Sequence, residues 1–554
     1  MPIKQTNLVT RIFYFFCFVL FVLLVTGGTR DLAQGLFSFK LELSQLDIFG
    51  WIALVLFVLG IKQGNIFDEK TLSKAFNRNF FLAFTGLYFF VMTLTQVLRF
   101  KSFEINAYDQ SYVEQAIWST ARLGNFLFSQ LCRGHSYLGE HFSPILALVS
   151  PFYWIVESHY WLFIFNSLFF TAASFFVFSY AKKHKLPTHY CVLFSVAFLL
   201  YQPVRGSNLW VFREDTFFIP AWFLLIFSFE NKKYGLAFSA VILSFLIKEN
   251  APLVTLLFSF FFLFSKNKNE KRWAVLTFIS SIFAFLILTQ KVVPYFAGGS
   301  NTMISTRFSS FGGSSSEILK NLIIHPLDSF VKILQVIFDD FKSVKAIKYL
   351  ALIFIPFFIF IKNTKSKQAR IYFLISFLLA LLNLLFTPKT LGFHYELIFV
   401  PFLICGAINS FPFQKNKHSA IITFVLLIFA CFGRSPILSL REAIPNQSHK
   451  CLSKILSNIP KASSVATQTS LHPHLTFRKD IHILSSNPTE DFVVYSFLPG
   501  LSQYATNLEA IRVLERYGYK KIIDQELVSI FCKGPTCNKD QLLENTCVAQ
   551  TDRQ

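Results

Sequence analysis

The chain has 554 residues, of which 53% are hydrophobic and 15% charged, and its mean hydropathy is +0.49. Soluble proteins carry about 25% charged residues, so this composition excludes an ordinary soluble domain. The net charge of +21 would suggest nucleic acid as a partner of a soluble protein. Here the basic residues fall largely in short clusters between apolar runs, which is typical of a membrane protein. We therefore expect membrane lipids, and no nucleic acid, as partners.

Apolar runs of about 15 to 20 residues recur from residue 12 to residue 433. Because the runs are continuous and do not alternate, they predict membrane-spanning helices and exclude a β-barrel. Several runs are short and would have to extend into their polar flanks to cross a bilayer. About 13 transmembrane helices are predicted, at 12–27, 48–62, 79–96, 160–181, 189–203, 216–230, 234–247, 252–265, 273–290, 347–362, 371–387, 395–411 and 418–433.

The Lys and Arg residues are concentrated in alternate loops, such as "KKHK" (182–185) and "KNKNEKR" (266–272). By the positive-inside rule these loops and the N-terminus are cytoplasmic, and an odd number of spans then puts the C-terminus outside. The cluster "KSVKAIK" (342–348) falls on the outer side, but it ends a long loop, and long loops follow the rule poorly. We predict an integral protein of a bacterial inner membrane.

Three organisational units are predicted from these spans. Residues 1–78 form N-terminal transmembrane helices, and residues 79–433 form a transmembrane core with external loops 97–159 and 291–346. Residues 434–554 change character, because short β-type runs alternate with helical stretches such as 507–517. This tail is predicted to be a small extracytoplasmic α/β domain with strands at "SSVATQ", "IHILS", "DFVVYSF" and "KKIID".

Four of the nine cysteines lie in the predicted outer tail: Cys451, Cys532, Cys537 and Cys547. An oxidising compartment would allow two disulfides among them, with three possible pairings. A zinc site is the alternative, but no His stands at zinc-finger spacing. The cysteines inside apolar spans are expected to be inert packing residues.

The first external loop carries the stretch "NAYDQSYVEQAIWST" (106–120) directly after an apolar run. Asp109 is predicted to be the N-cap of a helix over 110–122, where a carboxylate is favourable, and capping does not exclude a chemical role. Later in the loop, Glu140 and His141 precede a second helix at 144–158. We expect that helix to lie in the membrane interface, anchored by Tyr153 and Trp154.

Three further charged groups fall at the outer ends of predicted spans, where they are costly to bury. For each of them the simpler interpretation is surface charge at a helix end or a hairpin turn. Together, however, groups so far apart in sequence on one side of the membrane are what a pocket lined by helix ends would contain. The groups are "RED" (Arg213, Glu214, Asp215), "KEN" (Lys248, Glu249, Asn250) and "FHYE" (His394, Tyr395, Glu396).

The chemistry of such a pocket follows from its residue types. Carboxylates are suited to act as a general base, and cations are suited to bind a phosphate. The pattern is compatible with transfer of a sugar from a lipid phosphate. A base would deprotonate the acceptor, and cations would stabilise the leaving phosphate.

Six segments between residues 80 and 500 resemble segments of a known family. The order and spacing of the six segments together identify that family more specifically than any single segment does. The chain resembles the membrane family catalogued as domain of unknown function 2079. That family is similar in turn to the GT-C glycosyltransferases, polytopic enzymes that use polyprenyl-phosphate sugars. The segments are "YDQSYVEQAIW", "GEHFSPILALVSPFYWI", "REDTFFIPAWFLL", "LIKENAPL", "FSSFGGSSSEILKN" and "IPKASSVATQTSLHPHLTFRKDIHIL".

The resemblance implies a GT-C-like fold and a catalytic role for Asp109, because GT-C enzymes carry an acid in their first external loop. Asp109 would be the general base, or a contact to a metal ion or to the acceptor. Lys248 would meet the donor phosphate. Arg213 stands where the family usually has His, while Asp215 matches the family's acid. The other expected substrate-binding residues are Tyr108, Glu140, His141, Glu249, His394 and Tyr395, and the resemblance leaves open a divalent metal ion as cofactor.

Two other functions remain compatible with the sequence. One is a membrane transporter or lipid flippase, although transporters usually carry ionisable residues near the membrane midplane and within repeated halves. No convincing internal repeat is present, and the predicted spans are nearly free of charge. The other is a non-catalytic envelope protein whose α/β tail binds a partner.

Overall fold

The protein is described here by a computed structural model, which covers residues 73–534 with gaps. The predicted spans 12–27, 48–62 and 418–433 therefore lie outside the described residues, as do Cys537 and Cys547. The gaps are residues 75, 300–310, 326, 330, 334, 336–343, 387–393, 412–438, 441–442, 502–507 and 525–526.

Long apolar helices dominate the N-terminal two thirds of the described chain. Four of them are long and apolar enough to cross a membrane, and they overlap the predicted spans 79–96, 160–181, 273–290 and 371–387. Their length is the physical requirement, since a helix rises only about 1.5 Å per residue across a hydrocarbon core of about 30 Å. These four helices are Arg78–Lys101, Tyr160–Lys183, Lys268–Phe296 and Lys367–Leu384.

Shorter helices occupy the other predicted spans that fall within the described residues. A helix of 13 residues, such as Thr188–Leu200, reaches only about 20 Å, less than the thickness of a bilayer core. The predicted number of 13 transmembrane helices is therefore not established. The shorter helices are Thr188–Leu200, Phe218–Glu230, Tyr234–Phe245, Ala251–Phe260, Val344–Phe354, Phe358–Asn363 and Val400–Ser410.

The helices differ in which of their faces are covered by protein. In the helix Thr188–Leu200 every residue from His189 onward is buried, so this helix lies at the centre of the packing. The long helix that begins at Lys268 instead exposes Leu276, Phe283 and Ile287. Helices that are apolar on all sides belong in a protein core or in lipid. Because both surroundings require apolar side chains, hydropathy alone could not separate them.

Short helices fill the first loop, between the long helices Arg78–Lys101 and Tyr160–Lys183. The predicted interfacial anchor Tyr153 is fully buried, and its hydroxyl donates a hydrogen bond to the carboxylate of Glu114 at 3.0 Å. The prediction that Tyr153 anchors the loop in the interface is therefore wrong. Trp154, by contrast, is exposed. The short helices are Tyr112–Arg122, Tyr137–Glu140 and Ser150–Ile155, with a 3-10 helix at Pro144–Val149.

The C-terminal part folds into a small sheet with the α-helix Gln447–Ser457 and 3-10 helices at His472–Leu475 and Leu508–Tyr517, the second of which overlaps the predicted helical stretch 507–517. We call the segment Gln447–Cys532 the α/β tail. The four predicted strands are present, at Val465–Thr467 (β1), Ile481–Ile483 (β2), Phe492–Ser496 (β3) and Lys520–Asp524 (β4), and the structure adds a fifth at Val528–Cys532 (β5). Strands β1, β2 and β3 are parallel, whereas β5 pairs antiparallel with β3 and β4. The order of the strands in the sheet is β2-β1-β3-β5-β4.

The cysteines of the tail do not form two disulfides. Cys451 is a buried thiol, whereas Cys532 is disulfide-bonded. The expected pair of bridges would have required all four cysteines, so that expectation is wrong. Cys451 instead lies in the apolar core of the tail beside Leu452 and Ile455. Cys191 and Cys405 are buried within helices, as predicted for packing residues.

A buried carboxylate joins four helices at the C-terminal end of Phe218–Glu230. The side chain of Glu230 is only 5% exposed, and both of its oxygens accept hydrogen bonds. Because the donors come from several different parts of the sequence, this one acid ties distant helices together. The donors are the hydroxyls of Tyr180 and Tyr372, the amide of Asn409, and the charged or ring nitrogens of Lys183 and His184.

We expect the substitution Glu230→Ala to destabilise the protein by about 3–5 kcal/mol, because removing one partner leaves buried donors and charge without compensation. The measurement is thermal unfolding of the purified protein in detergent. The exposed Lys266 near the same helix ends offers a control, and Lys266→Ala is expected to unfold like the wild type. Equal melting temperatures for both variants would contradict a structural role for Glu230.

Candidate functional site

Asp109 lies in a π-helical turn, Ala107–Ser111, that leads into the helix Tyr112–Arg122. The cap of this turn is Asn106, whose side chain accepts a hydrogen bond from the backbone N–H of Asp109 at 3.2 Å. The prediction that Asp109 is the N-cap is therefore wrong. The π-helical turn Ala107–Ser111 precedes the α-helix and contains Asp109. Because Asn106 caps this turn, the carboxylate of Asp109 can make other contacts. Single π turns of this kind are frequent at functional sites.

Asp109 lies in a partly buried position beside two arginines. Burial raises the pKa of the Asp109 carboxyl to about 6, although the charges of Arg213 and Arg99 and a hydrogen bond from Trp210 act in the opposite direction. A carboxyl group with such a pKa exchanges its proton near neutral pH. This is the property that a general base requires.

Arg213 connects the Asp109 turn to a buried cluster of charges. Its Nη1 donates to the backbone carbonyl of Tyr108 at 3.3 Å, and its guanidinium lies 4.9 Å from the centre of the Tyr112 ring. Its Nε is 3.7 Å from a carboxylate oxygen of Glu214. Arg213 is only 6% exposed, so these contacts fix the direction of its charge.

Lys248 lies between two buried carboxylates. Its Nζ is 2.7 Å from Oε1 of Glu214 and 2.7 Å from Oδ2 of Asp215, while the Tyr137 hydroxyl donates to the other oxygen of Glu214 at 2.6 Å. Burial alone would lower the pKa of Lys248, but Asp215 and Glu214 raise it above its ordinary value. Lys248 is therefore charged, and its charge is already compensated.

The two carboxylates around Lys248 differ in their ease of ionisation. Burial would raise the pKa of Glu214, but Lys248 and Arg213 hold it well below its usual range. Burial raises the pKa of Asp215 despite Lys248, and the charge of Glu214 adds to the rise. Of the two, Glu214 is the group that stays ionised most readily.

Two histidines border this cluster. Nδ1 of His141 is 3.0 Å from Glu249, which also accepts the backbone N–H of Phe142 at 3.0 Å. Nε2 of His394 is 3.8 Å from Asp215. The first loop, the "RED" segment, the "KEN" turn and the later "FHYE" turn thus meet at one end of the helices.

Local sequence explains why these side chains converge. Glu214 and Asp215 begin a 3-10 turn that leads into the helix Phe218–Glu230, and acids suit a helix N-terminus. The Lys248–Glu249 pair occupies the tight connection before Ala251–Phe260. Each group is thus a helix-end residue, and packing of the helices brings the ends together.

Three of the predicted site residues make contacts of other kinds. Glu140 is bound locally, because it pairs with the Arg133 guanidinium at 3.2 Å and accepts the Arg133 backbone N–H. Tyr108 is 41% exposed, and its backbone carbonyl accepts a hydrogen bond from Arg213. Tyr395 accepts a hydrogen bond from Asn383 through its carbonyl.

Sequence reasoning missed several residues of the cluster. Glu214 is named within "RED" but is absent from the predicted site residues, although it is fully buried and contacts Lys248. Tyr137 and Arg99 carry no sequence signal, since a Tyr in a loop and an Arg at a helix end are ordinary there. Only the packing of distant segments reveals them.

The residues of the site do not fit a bound metal ion. Within the described residues, no group of three or more His, Cys, Asp or Glu is placed to hold one. The two closest carboxylates, Glu214 and Asp215, both bind Lys248, so their oxygens are already engaged by a cation.

The arrangement combines an acid that titrates near neutrality with an adjacent fixed cation. Asp109 supplies a proton acceptor, and Arg213 supplies a positive charge with donor groups. The Lys248 cluster holds Arg213 by the contact with Glu214. Such a pair can deprotonate one group while binding an anionic group next to it.

Comparison with solved structures finds ArnT from Cupriavidus metallidurans in two states. In complex with undecaprenyl phosphate it is 8% identical, with a TM-score of 0.47, over 81% of this chain and 99% of that chain. In the apo state it is 10% identical, with a TM-score of 0.49, over 82% of this chain and 100% of that chain. At these scores a shared fold is not established.

The comparison with curated proteins finds no match. The comparison with protein families finds one whose model covers most of the chain, over residues 99–494. The matched range contains Asp109, Arg213, Lys248 and His394. The chain belongs to the family described as "Predicted membrane protein (DUF2079)" and is an integral membrane protein.

Proposed function

We propose that the protein is a GT-C-type glycosyltransferase that transfers a sugar from a polyprenyl-phosphate donor to a cell-envelope acceptor. The observation that carries the proposal is the turn that holds Asp109 near the buried cation Arg213, which donates to the carbonyl of the preceding residue, Tyr108, while burial raises the pKa of the Asp109 carboxyl to about 6. The GT-C resemblance of the sequence supports the same assignment. The site would face the extracytoplasmic side of a bacterial inner membrane, with a cytoplasmic N-terminus.

The proposed reaction needs one base and one cation. Asp109 accepts the proton of an acceptor hydroxyl, and the acceptor oxygen attacks the anomeric carbon of the donor sugar. The bond between that carbon and the phosphate oxygen breaks, and its electron pair leaves with the polyprenyl phosphate. Arg213 stabilises the charge that grows on this phosphate, as a guanidinium does in charge-assisted hydrogen bonds.

Arg213 is better suited than Lys248 to meet the phosphate. The charge of Lys248 is balanced by two carboxylates at 2.7 Å, whereas Arg213 is 3.7 Å from the nearest oxygen of Glu214. A planar guanidinium can also bind two phosphate oxygens at once. We therefore assign Lys248 to holding Glu214 and Asp215, and through Glu214 to orienting Arg213.

The substitution Asp109→Asn is expected to lower transfer by about 10²–10⁴-fold, because the amide cannot accept the proton. The measurement is mass spectrometry of envelope glycans and lipids from cells that lack the protein and are complemented with each variant. Wild-type transfer is also expected to fall as the pH drops below about 6, since Asp109 is then protonated.

The control for this experiment is Asp328→Asn, because the Asp328 side chain is 80% exposed and lies 3.8 Å from the ring of His325, which is also exposed. This variant is expected to transfer like the wild type. Unchanged envelope glycans in cells that accumulate the Asp109→Asn protein would overturn the proposed function.

The substitution Arg213→Gln is expected to weaken binding of undecaprenyl phosphate by about 10- to 100-fold, which corresponds to losing a hydrogen bond to a charged group. The measurement is titration of the purified protein in lipid nanodiscs. The exposed Lys320 provides a matched loss of one positive charge, and Lys320→Gln is expected to bind like the wild type. Equal affinities for all three proteins would contradict the role given to Arg213.

A further inference from the structure

Phe103 is held in a strained backbone conformation just before the Asp109 turn. Its φ is +60°, in the strained left-handed region that a bulky L-residue rarely adopts. The side chain is 2% exposed and belongs to the apolar core of the α/β tail, together with Leu452, Ile455 and Phe492. Its ring also stacks on His474 at 3.9 Å. Burial of this large apolar ring in the tail offsets the strain of the backbone.

Two polar contacts join the same segment to the tail. The backbone N–H of Ala107, two residues before Asp109, donates to the carbonyl of Thr469 at 2.8 Å. Further along, the buried amide of Gln115 donates to the carbonyls of Arg478 and Lys479 at 2.9 and 3.0 Å. The amide oxygen of Gln115 accepts from Ser129 and Gln130 within the first loop, so this side chain has partners on both sides.

The contact between Ala107 and Thr469 lies at a particular edge of the tail's sheet, whereas Arg478 and Lys479 precede β2 and lie near the opposite edge. Strand β1 lies between its parallel neighbours β2 and β3, so the chain changes direction in the sheet between β1 and β3. In open α/β sheets this switch point, at the carboxyl ends of the strands, forms a binding crevice. Thr469 follows β1 at that edge, and the residue it binds is Ala107. The edge that binds a ligand in other α/β domains is here in contact with the protein's own loop.

We propose that the α/β tail positions Asp109, with Phe103 as the anchor and the switch-point edge of the sheet as the docking surface. The catalytic consequence rests on the function proposed above. The docking itself does not depend on that function, and it makes Phe103, Ala107 and Gln115 positioning residues.

The segment between Phe103 and Asp109 fixes the position of Asp109, because both the helical part and the tail hold it. Ile105 is buried against Phe100, Phe163 and Val211 of the helical part, while Phe103 and Ala107 are held by the tail. Asn106 then caps the backbone of Asp109. Losing the tail contact would free one side of this segment and let water reach the Asp109 carboxyl, which would remove the burial that raises its pKa.

The test is the substitution Phe103→Ala in the full-length protein in nanodiscs, with the protonation of Asp109 measured directly. A carbodiimide labels protonated carboxyl groups, and mass spectrometry of the 104–112 region gives the labelling as a function of pH. For the wild type we expect a midpoint near pH 6, set by burial. For Phe103→Ala we expect the midpoint to move toward 3.8, the ordinary value for Asp.

Three further variants make the result decisive. Phe103→Leu retains an apolar anchor and is expected to keep the wild-type midpoint. Phe126→Ala removes an exposed ring from the same loop and is expected to change nothing. Gln115→Met removes the donors to the tail without touching Phe103 and is expected to move the midpoint in the same direction as Phe103→Ala. Hydrogen exchange of β3 and β5 reports whether the tail stays folded.

An unchanged midpoint in Phe103→Ala would overturn the inference, whether or not the tail remains folded. A shift that Gln115→Met fails to reproduce would also overturn it, because Phe103 would then act only through local packing. The readout does not depend on transfer. If Asp109→Asn retained transfer while Phe103→Ala moved the midpoint, the proposed function would fail and the docking would stand.

Discussion

The ammonium group of Lys248, shared between Glu214 and Asp215, is the interaction on which the arrangement of the site depends. Buried charges are stable only when they are paired and hydrogen-bonded, so none of the three can move alone. The pairing fixes the start of the helix Phe218–Glu230 against the turn before Ala251–Phe260. Through Glu214 it also reaches Tyr137 of the first loop. Segments distant in sequence are thus joined by one compensated cluster.

This cluster explains why Arg213 and Asp109 can have separate roles. Lys248 is occupied by its carboxylates, so its charge serves the structure and Arg213 remains the cation beside the Asp109 turn. Asp109 is held by a backbone segment that the helices and the α/β tail contact from two sides. The strain at Phe103 persists because burial in the tail offsets it. In this arrangement, the strained residue Phe103 precedes the turn that carries Asp109, the proposed base.

The helix Phe218–Glu230 is held by buried carboxylates at both of its ends. Glu214 and Asp215 precede it at the site, and Glu230 ends it about 20 Å away, as the helix rise requires. Glu230 is surrounded by donors from other helices, far from the site. A buried acid with several hydrogen-bond donors is thus present at both ends of this helix. At the Glu230 end it joins helices, whereas at the Glu214 end it lies near a further acid, Asp109. Burial and charge alone therefore do not identify a functional residue.

Several features followed from the sequence because they depend on local pattern. The long apolar helices follow from continuous hydropathy, and strands β1 to β4 follow from short β-type runs. The grouping of the charged segments at one end follows from their positions beside helix ends. Strand β5 was not predicted, because it is defined by its antiparallel pairing with β3, in which Cys532 lies opposite Phe492.

The remaining features depend on contacts between distant segments, which only the tertiary structure decides. Asn106 rather than Asp109 caps the turn, because a π turn moved the start of the helix. Tyr153 faces Glu114 and not the membrane interface, because two short helices pack together. The sequence by itself determined which residues are costly to bury and at which helix ends they lie. The tertiary structure decided which of those charges compensate each other, because compensation is a matter of a few ångströms between residues that the sequence separates widely.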